Sequence, residues 1–180
     1  MSDNPMRRRG WLAAAAGFGV MGVAGGLAWQ TSQRQAKALT DAENQFWLQS
    51  FTVLDGAQLT AAAFKGKPLL LNFWATWCPP CVEELPAINA FFNQNKAKGW
   101  QVLGLAVDQA GAVRRFLNQT PLDFSIAMAG FPGIDVSKSL GNLTGGLPFT
   151  VVFDAAGAVI QRKMGKLNAN DLQVWSDLKI

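Results

Sequence analysis

Residues 69–86, LLLNFWATWCPPCVEELP, constrain the fold of this chain more than any other stretch. An apolar run behind Lys67-Pro68 ends in Cys78 and Cys81, the only two cysteines among 180 residues. A run of this length, bounded in this way, reads as a buried strand. The two prolines between the cysteines need a place where no helical amide is required, and the first turn of a helix is such a place. Cys78 then falls at or next to the N-cap, with Cys81 three residues on, close enough for the two sulfurs to form a disulfide across one turn. A thiolate at Cys78 would face unpaired amides and the positive helix end, both of which favour ionisation.

The helix that follows is placed by its period. Cys81, Leu85, Ile88 and Phe92 recur at steps of four, three and four, forming one stripe that faces a sheet and puts Cys81 on the buried side. At 100° per residue Glu84 falls between Ile88 and Phe91, on the margin of that stripe, while Glu83 lies beside Ala90 and Gln94. Adjacent glutamates thus have different surroundings. Pro86, deeper in the helix, is expected to kink it. A purely structural Cys-x-x-Cys clamp would constrain the unfolded chain little, and two thiols with no histidine in the chain do not make a four-ligand zinc site.

The run Phe73–Cys81, with Glu84 and Pro86 after it, resembles the thioredoxin superfamily and, within it, the TlpA/ResA-like thiol-disulfide oxidoreductases related to the CcmG type. The resemblance extends from about Phe51 to the C-terminus. It implies an α/β, thioredoxin-like fold, a central mixed sheet flanked by helices, with an N-terminal β-hairpin and a central TlpA-type insertion. The implied reaction is thiol-disulfide exchange with protein thiol or disulfide substrates, with no cofactor beyond a redox-active Cys78-Cys81 disulfide and no metal. Leu147-Pro148 matches the cis-proline that faces the dithiol in this superfamily, so Trp77, Pro79, Leu147 and Pro148 are the expected substrate-binding residues. The superfamily often has a buried Asp six residues before the first cysteine; here that residue is Asn72, which accepts no proton. TlpA-like proteins carry a Glu at the offset of Glu84, and its apolar flanks would raise its pKa toward that of a general base.

Exchange needs one thiolate to attack and a second thiol to resolve the mixed disulfide, and Cys78 and Cys81 suit these roles in that order. Pro-Pro between them supplies no backbone donor and no positive side chain to stabilise a thiolate. This favours a reductant, supplied with electrons by a membrane partner, since an oxidising compartment would otherwise leave the pair as a disulfide. A thiol oxidase is the alternative direction. A peroxiredoxin would carry Thr at position 75, where this chain has Ala75, and a Sco-like metal-handling module would space its cysteines by three residues and add a histidine.

The formal charge of +4 belongs to the N-terminal tail, because from Leu39 onward eleven Lys plus Arg face eleven Asp plus Glu. A neutral domain lacks the basic face that phosphate binding requires, so no nucleic-acid partner is expected. Arg7, Arg8 and Arg9 precede Gly10–Trp29, an uncharged stretch that would span about 30 Å as a helix. Residues 1–30 therefore read as a signal peptide or signal-anchor transmembrane helix, residues 31–50 as a linker in the form of a tether or short helix, and residues 51–180 as the thioredoxin-like domain. Charge before the span places the domain outside the cytoplasm, in a bacterial periplasm, either membrane-anchored or exported. Arg8-Arg9-Gly10-Trp11-Leu12 also resembles a twin-arginine export signal.

Further along, Phe51–Leu54 reads as a strand turned by Asp55-Gly56 toward Leu59–Phe64. Gln101–Val107 and Ser125–Met128 read as strands and Ala112–Gln119 as a helix, followed by a Gly/Pro-marked loop at Gly130–Gly133 in the region of the insertion. Phe149–Phe153 and Ala158–Met164 read as a strand pair about a turn at Asp154–Gly157. Asn168 caps a last helix bearing Leu172, Trp175 and Leu178 at helical spacing.

Overall fold

The structure is a computed structural model that describes residues 38–178; the leader expected within residues 1–30 lies outside them. The apolar run forms strand β3, Leu69–Trp74, with all six residues buried. Burial on both faces needs neighbours on both edges, and β3 has them. It pairs in parallel with β4, Gln101–Ala106, and antiparallel with β6, Phe149–Phe153. Strands β1 (Ser50–Thr52), β2 (Gln58–Thr60), β5 (Ser125–Met128) and β7 (Val159–Met164) complete a seven-stranded mixed sheet in the order β2-β1-β5-β4-β3-β6-β7.

Side-chain alternation along β3 divides the interior into two clusters. Leu69, Leu71 and Phe73 join Phe46, Phe51, Leu103 and Phe149 on one side. Leu70 and Trp74 join Cys81, Leu85 and Ile88 of the long helix on the other. Asn72 shares the parity of Leu70 and Trp74, so it points at that helix. Cα register and parity together aim an amide into the interior beneath the dithiol.

The helices are α1 (Asp41–Trp47), α2 (Pro79–Asn95), α3 (Ala110–Gln119), α4 (Gly133–Ser139) and α5 (Ala169–Ser176). Helix α2 continues through Pro86, which is exposed. Helix α5 opens with a reciprocal capping box between Asn168 and Asp171, and it buries Leu172 and Trp175; Leu178 lies beyond its end.

Two expectations are corrected. Helix α1 lies within residues 31–50, the expected linker, yet it belongs to the domain. Thr40 and Glu43 form a capping box, Phe46 stacks on Phe153 at 5.1 Å, and the Trp47 indole donates to the Gly157 carbonyl at 2.8 Å. The Val159 amide donates to Glu43 Oε1 at 2.6 Å, so the segment is tied to the β6–β7 hairpin at several points and the domain begins before Phe51. The return arm of the N-terminal hairpin is shorter than expected, since Ala61–Phe64 turns into a 3-10 helix that buries Ala61 and Phe64. The stretch opened by the Gly130–Gly133 loop contains α4, whose seven residues are too few to show a helical period.

Candidate active site

Strand β3 ends at Trp74, and four residues later Cys78 is the N-cap of α2, with Pro79 and Pro80 in the first turn. The missing proline amides are harmless there, because the first helical amides have no intrahelical acceptor. The Cys78 carbonyl accepts from the amides of Cys81 at 3.0 Å and Val82 at 3.1 Å, which closes the turn and brings the two sulfurs together. They form a disulfide with Cα atoms 5.3 Å apart. Cys81 has no exposed surface and Cys78 retains 5%, so the only face open to an attacking or leaving sulfur is that of Cys78. Beside it Trp77 is 59% exposed, and Pro79 is exposed as well.

The turn between β3 and α2 is held from the neighbouring strand. The backbone amide and hydroxyl of Thr76 both donate to Asp108 Oδ2, at 2.8 and 2.6 Å, and Asp108 follows the end of β4. In the sequence Asp108 only follows the Gln101–Val107 run that reads as a strand. Its anchoring role depends on β3–β4 register, which no local pattern contains.

Leu147-Pro148 is a cis peptide, as the resemblance implied. Phe149 pairs with Phe73, so Pro148 stands at the end of the sheet from which β3 leads to Cys78. Pro148 is buried and Leu147 half-buried, and the Pro148 carbonyl accepts from the Gly165 amide at 2.9 Å. The approach to the cis bond is clamped by Asn142, whose side-chain amide donates to the Gly146 carbonyl and to Ser137 Oγ, each at 2.9 Å. Asn142 carried no signal in the sequence.

Glu84 lies deeper than the margin position expected of it, at 1% exposure. Its Oε1 accepts from the Asn72 side-chain amide at 2.8 Å, and its Oε2 from the Leu167 backbone amide at 2.6 Å. Asn72 also donates to Thr150 Oγ1 on β6 at 3.0 Å. Burial pushes the Glu84 pKa up from the usual carboxylate value; the Leu167 amide, the Asn72 amide and the Lys166 charge pull part of the way back. Glu83, by contrast, is exposed and pairs with Lys166 Nζ at 2.5 Å. The two adjacent glutamates therefore differ as their helical positions predict. One side chain is in solvent, and one is a buried carboxyl three residues beyond the buried sulfur.

Such a site can break a disulfide and move a proton. It offers one surface-facing sulfur, one enclosed sulfur, a carboxyl of raised proton affinity near the enclosed one, and a backbone edge at a cis-proline. Among the described residues no group of three or more His, Cys, Asp and Glu side chains is arranged to hold a metal ion.

Residues 35–175 match the Redoxin family. The chain is 35% identical to the thiol-disulfide oxidoreductase ResA of Bacillus thuringiensis over 69% of its own length and 70% of that protein. It is 33% identical to the thiol:disulfide interchange protein DsbE of Vibrio cholerae, over 61% of this chain and 56% of that one. Among solved structures, the thioredoxin-related protein from Neisseria meningitidis serogroup B superposes with a TM-score of 0.63 at 30% identity. That superposition covers 70% of this chain and 95% of the other.

Proposed function

This chain belongs to the Redoxin family, among the ResA-like thiol-disulfide oxidoreductases, and from that premise we propose that it reduces disulfides of proteins outside the cytoplasm through Cys78 and Cys81. The single observation that carries this reading is the Cys78–Cys81 disulfide at the start of α2, with Cys81 enclosed and the buried Glu84 three residues beyond it.

In the reduced protein the Cys78 thiolate attacks one sulfur of a substrate disulfide. A mixed disulfide forms and the first substrate thiolate leaves. Cys81 then gives its proton to the Glu84 carboxylate and attacks Cys78 Sγ, releasing the second substrate thiolate and leaving the Cys78–Cys81 disulfide. Two electrons pass to the substrate. Burial suits Glu84 to this exchange, since it raises the proton affinity of the carboxylate toward that of a general base. An extended substrate segment pairs with the backbone at Leu147, between Trp77 and Pro79 on one side and Pro148 on the other, and this holds the substrate sulfur without reading its neighbours.

The regenerating electrons come from a thiol-reducing membrane protein, and the domain is delivered to the periplasm by the N-terminal segment that carries Arg7, Arg8 and Arg9, as an anchored or exported protein. The direction rests on Pro79-Pro80, which supply no donor to stabilise a Cys78 thiolate. Equilibration with glutathione buffers tests it. A potential near the roughly −270 mV of a thioredoxin fits a reductant, whereas one near the roughly −120 mV of a strong oxidant makes the protein a thiol oxidase.

A further inference from the structure

Gly165, Lys166 and Leu167 are consecutive, and each touches a different part of the site. The Gly165 amide donates to the Pro148 carbonyl at 2.9 Å. Lys166 Nζ pairs with Glu83 Oε2, and the Leu167 amide donates to Glu84 Oε2 at 2.6 Å. Leu167 is itself 3% exposed, packed in the cluster that contains Cys81 and Leu85, so the segment is anchored at the carboxyl end. Gly165 has φ +77°, a conformation that a side chain would strain, so it lets the chain leave β7 in the direction that meets both Pro148 and α2.

We propose that Gly165–Leu167 is a strap holding the cis-proline edge and the buried carboxyl in one geometry, with Lys166 the positioning residue through which solvent-side charge acts on Glu84. This rests on the reading of Glu84 as the proton acceptor. Among the described residues the charged groups at that carboxyl lie on the strap and on α2. Lys166 comes from the first and Glu83 from the second, and the thiol of Cys81 appears when the disulfide opens. Strand β3 contributes neutral Asn72, and β6 contributes neutral Thr150 behind it. The next ion pair, Lys163–Asp171 at 3.0 Å, is closed on itself. Lys166 favours the ionised carboxyl, in keeping with the direction in which its charge moves Glu84. Glu83 opposes Lys166 twice, by holding it and by its own charge.

The test is the pH profile of disulfide reduction in the full chain. Lys166→Met is expected to move the acid limb to higher pH, with a roughly 1.4- to 5-fold loss of rate below its midpoint, the range of a single exposed charge pair, fading at high pH. Lys166→Arg should restore the parent profile, and Glu83→Gln should move the limb to lower pH. Gly165→Ala should raise KM and leave the limb in place. If Lys166→Met loses rate equally at all pH, or Glu83→Gln and Lys166→Met shift the limb the same way, the strap is only structural and the proposal falls. If Glu84→Gln itself keeps the parent profile, the proton-acceptor reading fails first and takes this one with it. If Glu84→Gln removes the carboxyl's part of the limb and Lys166→Met leaves the limb unmoved, the strap alone is overturned.

Discussion

Asn72 on β3 donates its side-chain amide to Glu84 on α2 across 2.8 Å. A strand residue and a helix residue twelve positions apart thereby share one buried site. The amide orients the carboxyl but cannot take its proton, so in the proposed mechanism the proton of the enclosed sulfur goes to Glu84. Thr150 receives a second hydrogen bond from Asn72 and fixes the amide from the opposite neighbour strand. Glu84 is thus held by one strand and a loop, with a second strand fixing the amide that meets it.

Replacing Glu84 with Gln keeps the shape and removes the base. Disulfide reduction near neutral pH is expected to fall by on the order of 100-fold, and the part of the acid limb set by the carboxyl should disappear, leaving only the limb set by the Cys78 thiolate. Stability gives an independent sign. The Glu84 pKa is raised above 4.5 in the folded state, so the group stabilises the fold below the unfolded value, and that stabilisation is lost as pH rises through the folded value. Denaturant titrations should therefore show Glu84→Gln gaining on the parent as pH rises from about 4.5. A constant difference would contradict the burial of an ionisable carboxyl.

Asn72→Asp would bring a second carboxyl to within hydrogen-bonding distance of the first. The two cannot both ionise cheaply, so the pair should titrate in two separated steps and the variant should lose stability between about pH 5 and 8 relative to the parent. Chemical denaturation at pH 5 and at pH 8 measures this. Equal losses at the two values would mean that Asn72 and Glu84 do not meet.

Much of this site is legible in the chain. Pro79-Pro80 fix the helix start and hence the place of Cys78, and the step of three from Cys81 puts Glu84 near the stripe and Glu83 off it. What local sequence lacks is any record of partners from afar. Asn72 could be seen as a departure from an acid, but its bond to Glu84 depends on how β3 and α2 pack. The Leu167 amide and the Asp108 anchor depend on loops 83 and 32 residues from their partners. That helix α1 docks on the domain was hidden for a related reason. Its polar, alanine-bearing flank looks like tether, and only docking of Phe46 and Trp47 against the β6–β7 hairpin makes it part of the domain.

That docking sets a further expectation. Phe46 has no exposed surface and packs on Trp47, Phe51 and Phe153, so Phe46→Ala should cost about 3–5 kcal/mol. The loss is read from the denaturant midpoint at unchanged slope. A cost below about 1 kcal/mol would return residues 41–47 to the linker.

The division of labour between the two sulfurs is the central claim, and a mixed-disulfide trap tests it most directly. Incubated with a disulfide-bonded substrate, reduced Cys81→Ser should accumulate a covalent adduct through Cys78, because the enclosed resolving thiol is gone. Reduced Cys78→Ser should accumulate little, because Cys81 has no exposed surface. Equal adducts from both variants, or more from Cys78→Ser, would contradict the account.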